Sequence, residues 1–373
     1  MSNKISLYIH IPFCKKKCLY CDFPSYGNME NSMNEYVKVL SEEIKSLEYN
    51  KFNTIFIGGG TPTFLLLKEW EVLKESLNYK LIKEPAEFTV EINPGTADKE
   101  KLLFLKNMGV NRLSIGLQAW QENLLKNLGR IHSKNEFLEL YKNAREIGFD
   151  NINIDLMYGL PSQSFENWKE TLKEVVLLEP EHISCYSLII EENTPFYNMY
   201  NKGVIKIPSE EEERKMNEFT ITYLKEKGYD RYEISNWAKK DKECKHNLVY
   251  WELENYIGCG SSAHSYINGS RFSNSDDIKE YMKNFFQLNK NEKYKNSIEA
   301  DMEEFMFLGL RKIKGISIKK FNEKFKKSIF DIYGNVINKY VENGYLILNE
   351  DRIFLSEKGI EISNSIMCEF IIN

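Results

Sequence analysis

Six times between residues 5 and 190 the chain runs through a short strand-like segment, a loop and an amphipathic helical stretch. The strand candidates are 5–11, 54–57, 88–92, 112–117, 151–157 and 182–190. Helical patterning at about 31–49, 65–77, 99–108, 134–147 and 165–178 separates them. Strands that alternate with helices pair in parallel through crossover connections. Six units rather than eight predict an α/β fold: a partial β/α barrel, open on one side. Such barrels gather their chemistry at the carboxyl ends of the strands. Cys14, the Gly58–Thr61 loop, Glu91, Gln118 and Asp155 all fall at or near those ends.

The first strand runs into Cys14, Cys18 and Cys21, spaced C-x3-C-x2-C. A closed structural zinc site takes four ligands, and no fourth cysteine follows, because position 23 is Phe23. Three thiolates in so short a loop suit an iron–sulfur cluster with one iron left free. A zinc knuckle completed by His10 is the competing reading. Seven cysteines in 373 residues are too sparse for a disulfide framework. Lys15, Lys16 and Lys17 either solvate the loop or offset the charge of ligated thiolates.

The third and fourth strand candidates close on polar punctuation. Asn93-Pro94-Gly95 stops one, and Gln118 ends the other. An ionised Glu91 facing inward on a mostly apolar strand needs a partner. The glycines at 58–60 let the backbone approach a ligand closely, yet they open no dinucleotide-binding helix. Arg130 carries a planar fork that can pair with a carboxylate.

The cysteine spacing, with Tyr8-x-His10-Ile-Pro12-Phe before it and Leu-Tyr20-Cys21-Asp-Phe23 through it, resembles one family of radical S-adenosylmethionine (radical SAM) proteins. That family is the coproporphyrinogen III oxidase-like (HemN/HemW) one. The resemblance implies a [4Fe–4S] cluster on Cys14, Cys18 and Cys21, with S-adenosylmethionine chelated at the open iron. It assigns S-adenosylmethionine contacts to Tyr8, Tyr20, Gly59, Gly60, Thr61, Glu91, Gln118, Arg130, Asp155 and His264. Reduction of such a cluster cleaves the bound cofactor to methionine and a 5′-deoxyadenosyl radical. Phe23 replaces the extra cysteine of the oxidase branch, and His246-Asn247-x-x-Tyr250 resembles a motif of the haem-chaperone branch. The resemblance therefore implies a haem chaperone with His246 toward haem, acceptor haemoproteins, and an electron donor such as flavodoxin or ferredoxin. Oxygen-independent coproporphyrinogen III oxidation is the alternative, and a radical methyltransferase or haem-degrading relative a third.

A net charge of −5 argues against a mainly electrostatic nucleic-acid binder. No apolar run approaches the ~18 residues of a membrane span, which leaves only peripheral membrane contact open. No signal-peptide pattern precedes the first strand, and reduced cysteines fit the cytoplasm. The expected organisation is a barrel over 1–235, a closing and connecting segment over 236–293 and a C-terminal domain over 294–373. Residues 229–237 read as a further strand or extended segment, and the loop around His264 as a closure of the open barrel side. Helices at 302–313, 318–325 and 332–343 and a hairpin at 345–355 make the last domain winged-helix-like, an α+β unit.

Overall fold

The structure, a computed structural model, describes residues 5–79, 86–284 and 291–372. The six expected strands are all present: β1 (Ser6–Ile11), β2 (Thr54–Gly59), β3 (Glu87–Ile92), β4 (Arg112–Gln118), β5 (Ile152–Tyr158) and β6 (His182–Ser187). They pair in parallel in chain order. Crossover helices α1 (Met33–Ser46), α2 (Leu67–Tyr79), α3 (Lys99–Asn107), α4 (Lys134–Ile147) and α5 (Phe165–Leu177) join them.

The strands show why this half-cylinder forms. Leu7, Ile9, Ile55, Ile57, Val90, Leu113, Ile115, Ile154 and Ile183 are fully buried and alternate with Tyr8, Phe56, Thr89, Ser114, Asp155 and Ser184. Side chains alternate across a strand, so the first set meets the helices while the second, mostly polar, faces inward. Serine caps start the covering helices where the chain needs to turn. Ser133 with Glu136 and Ser164 with Asn167 form capping boxes. Gly148, at φ +95°, ends α4 in the left-handed conformation that glycine favours.

The barrel stays open, and the loop at His264 does not close it. A seventh parallel strand, β9 (Tyr256–Cys259), pairs with the outer edge of β1. Antiparallel β10 (His264–Ile267), β11 (Ser270–Ser273) and β12 (Asn291–Lys295) carry the sheet onward. At the other edge, the strand expected over 229–237 divides into β7 (Asp230–Glu233) and β8 (Asn236–Ala238), antiparallel to each other, with β8 also antiparallel to β6. Residues 285–290 of the expected connecting segment lie outside the described residues.

Beyond the sheet, Ile298–Gly309, Ile316–Ser317, Ile318–Phe325, Ile329–Glu342, Leu346–Asn349 and Arg352–Leu355 follow in winged-helix order. The first of these helices starts four residues before the expected position because Ser297 caps it. Their side chains build a second core around Met306, Phe321, Ile337 and Ile353, distinct from the one behind the sheet.

Candidate functional site

The carboxyl ends of β1 to β6 surround a cleft of about 450 Å³. Its wall includes Cys14, Cys18, Cys21, Tyr20, Gly59, Gly60, Thr61, Glu91, Gln118, Arg130 and Asp155. Three of the expected contact residues lie elsewhere. Tyr8 sits deeper in the half-barrel, where its hydroxyl donates to His10 Nδ1 at 2.9 Å. His264 is exposed at the start of β10 and is not part of the cleft wall. His246 is buried at the opposite, amino-terminal end of the strands.

The cysteine loop is held from below and from the side. His10 Nε2 bonds the Pro24 carbonyl at 2.8 Å. With Tyr8 donating to its other nitrogen, His10 has no lone pair free for a metal, which removes the zinc-knuckle alternative. Gly60 N donates to Ile11 O and Thr61 N to Phe13 O, both at 2.8 Å, tying the end of β2 to the strand that delivers Cys14. Gly59 has φ +113°, and a Cβ there would meet the His10 ring at 2.4 Å. Only glycine fits both the conformation and the space.

The three cysteines are unpaired and share one wall. Among the described residues no group of His, Cys, Asp and Glu converges tightly enough for a single metal ion. A cube-shaped cluster binds its thiolates at separate irons, so a wider spread of sulfurs suits it. Two of the sulfurs already receive donors, from Thr61 Oγ1 to Cys14 and from Arg130 Nη1 to Cys18, both at 3.6 Å. Burial raises the Cys14 and Cys21 thiols, with the Thr61 hydroxyl pulling Cys14 back down. The residues therefore fit a cluster better than an isolated ion.

Across the cleft, Glu91 accepts a hydrogen bond from Gly59 N at 3.0 Å. Burial, reinforced by Asp155, pushes its carboxyl up to about 7 from an ordinary 4.5. Asp155 is held by Ser114 Oγ (3.1 Å) and Asn153 Nδ2 (2.8 Å). Gln118 holds φ +72°, a strained region for a side-chain-bearing residue, where the β4–β5 register shifts. The sequence reading missed His10 as a support and read Asn93 only as a strand stop. Asn93 in fact bridges Arg130 and Thr61. Its amide at the carboxyl end of β3 was the available signal.

Glu91→Gln provides a pH test. A native carboxyl near 7 holds its proton where an unfolded one does not, so its contribution to stability is full below pH 4.5. It falls as pH rises to 7, by about 3 kcal/mol. The variant is expected to raise the thermal midpoint of the apoprotein at pH 8 and leave it unchanged at pH 4. An equal shift at both values would disconnect Glu91 from this titration.

At the base of the half-barrel, α6 (Lys245–Trp251) plugs the other end. Glu87 accepts from Lys245 N (2.8 Å) and His246 N (3.0 Å). His246 bonds Thr54 Oγ1 (2.7 Å) and Tyr250 OH (2.8 Å), and its ring lies 5.2 Å from that of Phe56. Burial, with Arg112 nearby, lowers its pKa to about 3. His246 and Tyr250 of the His-Asn-x-x-Tyr motif are thus bonded to each other beneath the sheet.

Residues 8–175 match the Radical SAM superfamily, and residues 297–362 the HemN C-terminal domain. The chain is 39% identical to Heme chaperone HemW of Bacillus subtilis (strain 168), over 98% of this chain and 99% of that protein. It is 37% identical to Heme chaperone HemW of Lactococcus lactis subsp. lactis (strain IL1403), over 99% and 97%. The solved structure of coproporphyrinogen III oxidase (HemN) from Escherichia coli, a radical SAM enzyme, has a TM-score of 0.86 at 24% identity, covering 99% of this chain and 90% of that one. That likeness speaks to the fold. With the cysteine loop, the open sheet and the C-terminal domain all in place, the chain belongs to the radical SAM superfamily and, within it, to the HemW family.

Proposed function

We propose that this protein is a haem chaperone that binds haem and hands it to haemoproteins, using a radical SAM scaffold. The observation that carries this reading is a single cleft, uniting the cysteine loop with eight of the ten expected cofactor contacts, in a chain that matches named haem chaperones along its length. Cys14, Cys18 and Cys21 would hold a [4Fe–4S] cluster. Tyr20, Gly59, Gly60, Thr61, Glu91, Gln118 and Asp155 would receive S-adenosylmethionine. When bound, the pair supplies one-electron cleavage of a carbon–sulfur bond. The chain's own part is placement: Glu91 offers a carboxylate to a ligand amine or hydroxyl, and Gly59, with no Cβ to strike the His10 ring, lets the strand end sit beside it. Leu124, Leu125, Leu160 and Phe196 form an apolar layer beside Tyr20 that sheds water from that flank.

The cleft mouth suits a flat apolar macrocycle with acidic arms. Phe23 (63% exposed), Ile131 and Ile189 line it with exposed apolar surface, beside Lys15, Lys16 and Lys17. Haem has that chemistry, with propionates to meet the lysines. The same lysines offer a docking charge to an acidic electron donor such as a flavodoxin or ferredoxin. No helix of the described residues is long and apolar enough to cross a membrane, and we place the protein in the cytoplasm.

Anaerobic reconstitution followed by haem titration and transfer to an apo-haemoprotein tests the proposal. Saturable haem uptake and transfer are expected, without conversion of coproporphyrinogen III. Formation of protoporphyrinogen IX would make the protein an oxidase. His246→Ala discriminates within the reading. Both ring nitrogens are engaged inside the protein, so the variant is expected to lose roughly 3 kcal/mol of stability through two buried hydrogen bonds. Its haem stoichiometry should stay unchanged. Lost haem binding at unchanged stability would restore His246 as the iron ligand.

A further inference from the structure

We propose that Arg130, Asn93 and Thr61 form a polarised hydrogen-bond chain that sets the electron affinity of the cluster held by the cysteine loop. The inference rests on the cluster assignment above.

Arg130 Nη2 donates to Asn93 Oδ1 at 2.6 Å and to Gly116 O at 2.5 Å, while Nη1 points at Cys18 Sγ, 3.6 Å away. A guanidinium can only donate, so it fixes which way the Asn93 amide faces. The amide nitrogen then donates to Thr61 Oγ1 at 2.7 Å. With its oxygen accepting, the Thr61 hydroxyl directs its own hydrogen to Cys14 Sγ, 3.6 Å away. One cation thus acts on two of the three cluster sulfurs, directly and through two intermediaries.

Two further observations support the chain. A Cβ at Gly116 would stand 2.8 Å from Asn93 Oδ1 and 3.1 Å from Arg130 Nη2, so the strand end is shaped to admit this junction. Among the described residues no carboxylate forms an ion pair with Arg130, and the potential anions that act on it most are Tyr20, Cys18 and Cys14. A half-buried guanidinium gains from a nearby anion, and ligated thiolates would supply it. The positive charge and the sulfur-directed donors both favour the reduced, more negative cluster. Arg130 acts here as a positioning and tuning residue, with both Nη2 hydrogens taken by Asn93 and Gly116 and Nη1 facing sulfur.

The test is an anaerobic redox titration, followed by electron paramagnetic resonance, of reconstituted wild-type protein and of Arg130→Met, Asn93→Asp, Thr61→Val and Thr61→Ser. S-adenosylmethionine and haem are left out. Arg130→Met should lower the equilibrium constant for one-electron reduction at least tenfold, which is 59 mV. Asn93→Asp, which neutralises the cation, and Thr61→Val, which removes the donor, should each move the potential the same way by less. Thr61→Ser keeps the hydroxyl and should remain at the wild-type value. Unchanged potentials at full iron content overturn this inference alone. A wild-type chain that takes up no cluster overturns the cluster assignment with it.

Discussion

Cys18→Ala is expected to give a folded protein that takes up no [4Fe–4S] cluster. Cys18 is only half-buried and its loop is flanked by the exposed Lys15–Lys17, so the truncation leaves no core cavity. A cluster with two thiolates left has lost a third of its protein anchor, and Arg130 faces an empty position instead of a sulfur. Cys14→Ala and Cys21→Ala should behave alike in cluster content. Cys14 is buried between Thr61 and the strand end, so its loss should also cost some stability. The measurement is iron content and visible absorbance after anaerobic reconstitution, with circular dichroism as the control for folding. Retention of the cluster in all three variants would remove the ligand assignment and the proposed chemistry with it.

Glu87→Ala should produce the largest loss of stability of any single substitution considered. Glu87 caps the first turn of α6 through two backbone N–H groups, and Cys244 Sγ approaches it at 3.5 Å. It is also a source of negative charge for Arg112, which is buried in the same layer and has an unpartnered Nε. Cys244 cannot replace it, because burial pushes that thiol up to about 12 and keeps it neutral. Removing one member of a buried charged arrangement costs about 3–5 kcal/mol. Chemical denaturation should show the midpoint falling accordingly. Glu87→Gln, which retains an acceptor but not the charge, should fall between the variant and wild type. A loss below about 1 kcal/mol for Glu87→Ala would mean that water already satisfies this layer.

The six strands were legible because each carries local information. Alternating or apolar runs, bounded by Asn93-Pro94-Gly95 or by helical stretches, need no knowledge of distant partners. The cysteine loop was legible for the same reason. Short strands with mixed faces were not. His264–Ile267 and Ser270–Ser273 are four residues each, and their pairing depends on β9 being parked against β1. The site was readable as far as strand position decides it: every candidate at a carboxyl end of β2 to β5 reached the cleft wall. Strand position says nothing about residues placed elsewhere in the chain. His246 looks like a ligand in sequence, but its environment is set by Thr54, 192 residues away, and by Glu87, 159 residues away. Asn93 looked like punctuation because neither of its partners is near in sequence.

The parallel pairing of β1 with β9 joins Ser6 to Tyr256. During synthesis, at roughly 5–20 residues per second, the first strand waits on the order of 12 to 50 s for that neighbour to be made. Until then one flank of the segment that delivers Cys14 is an unpaired edge, with its amides and carbonyls exposed to other chains. Contacts this distant along the chain also form slowly, because the loop entropy is lost before the pairing compensates it. The strand that delivers Cys14 thereby gains its second neighbour only after two-thirds of the polypeptide has been made.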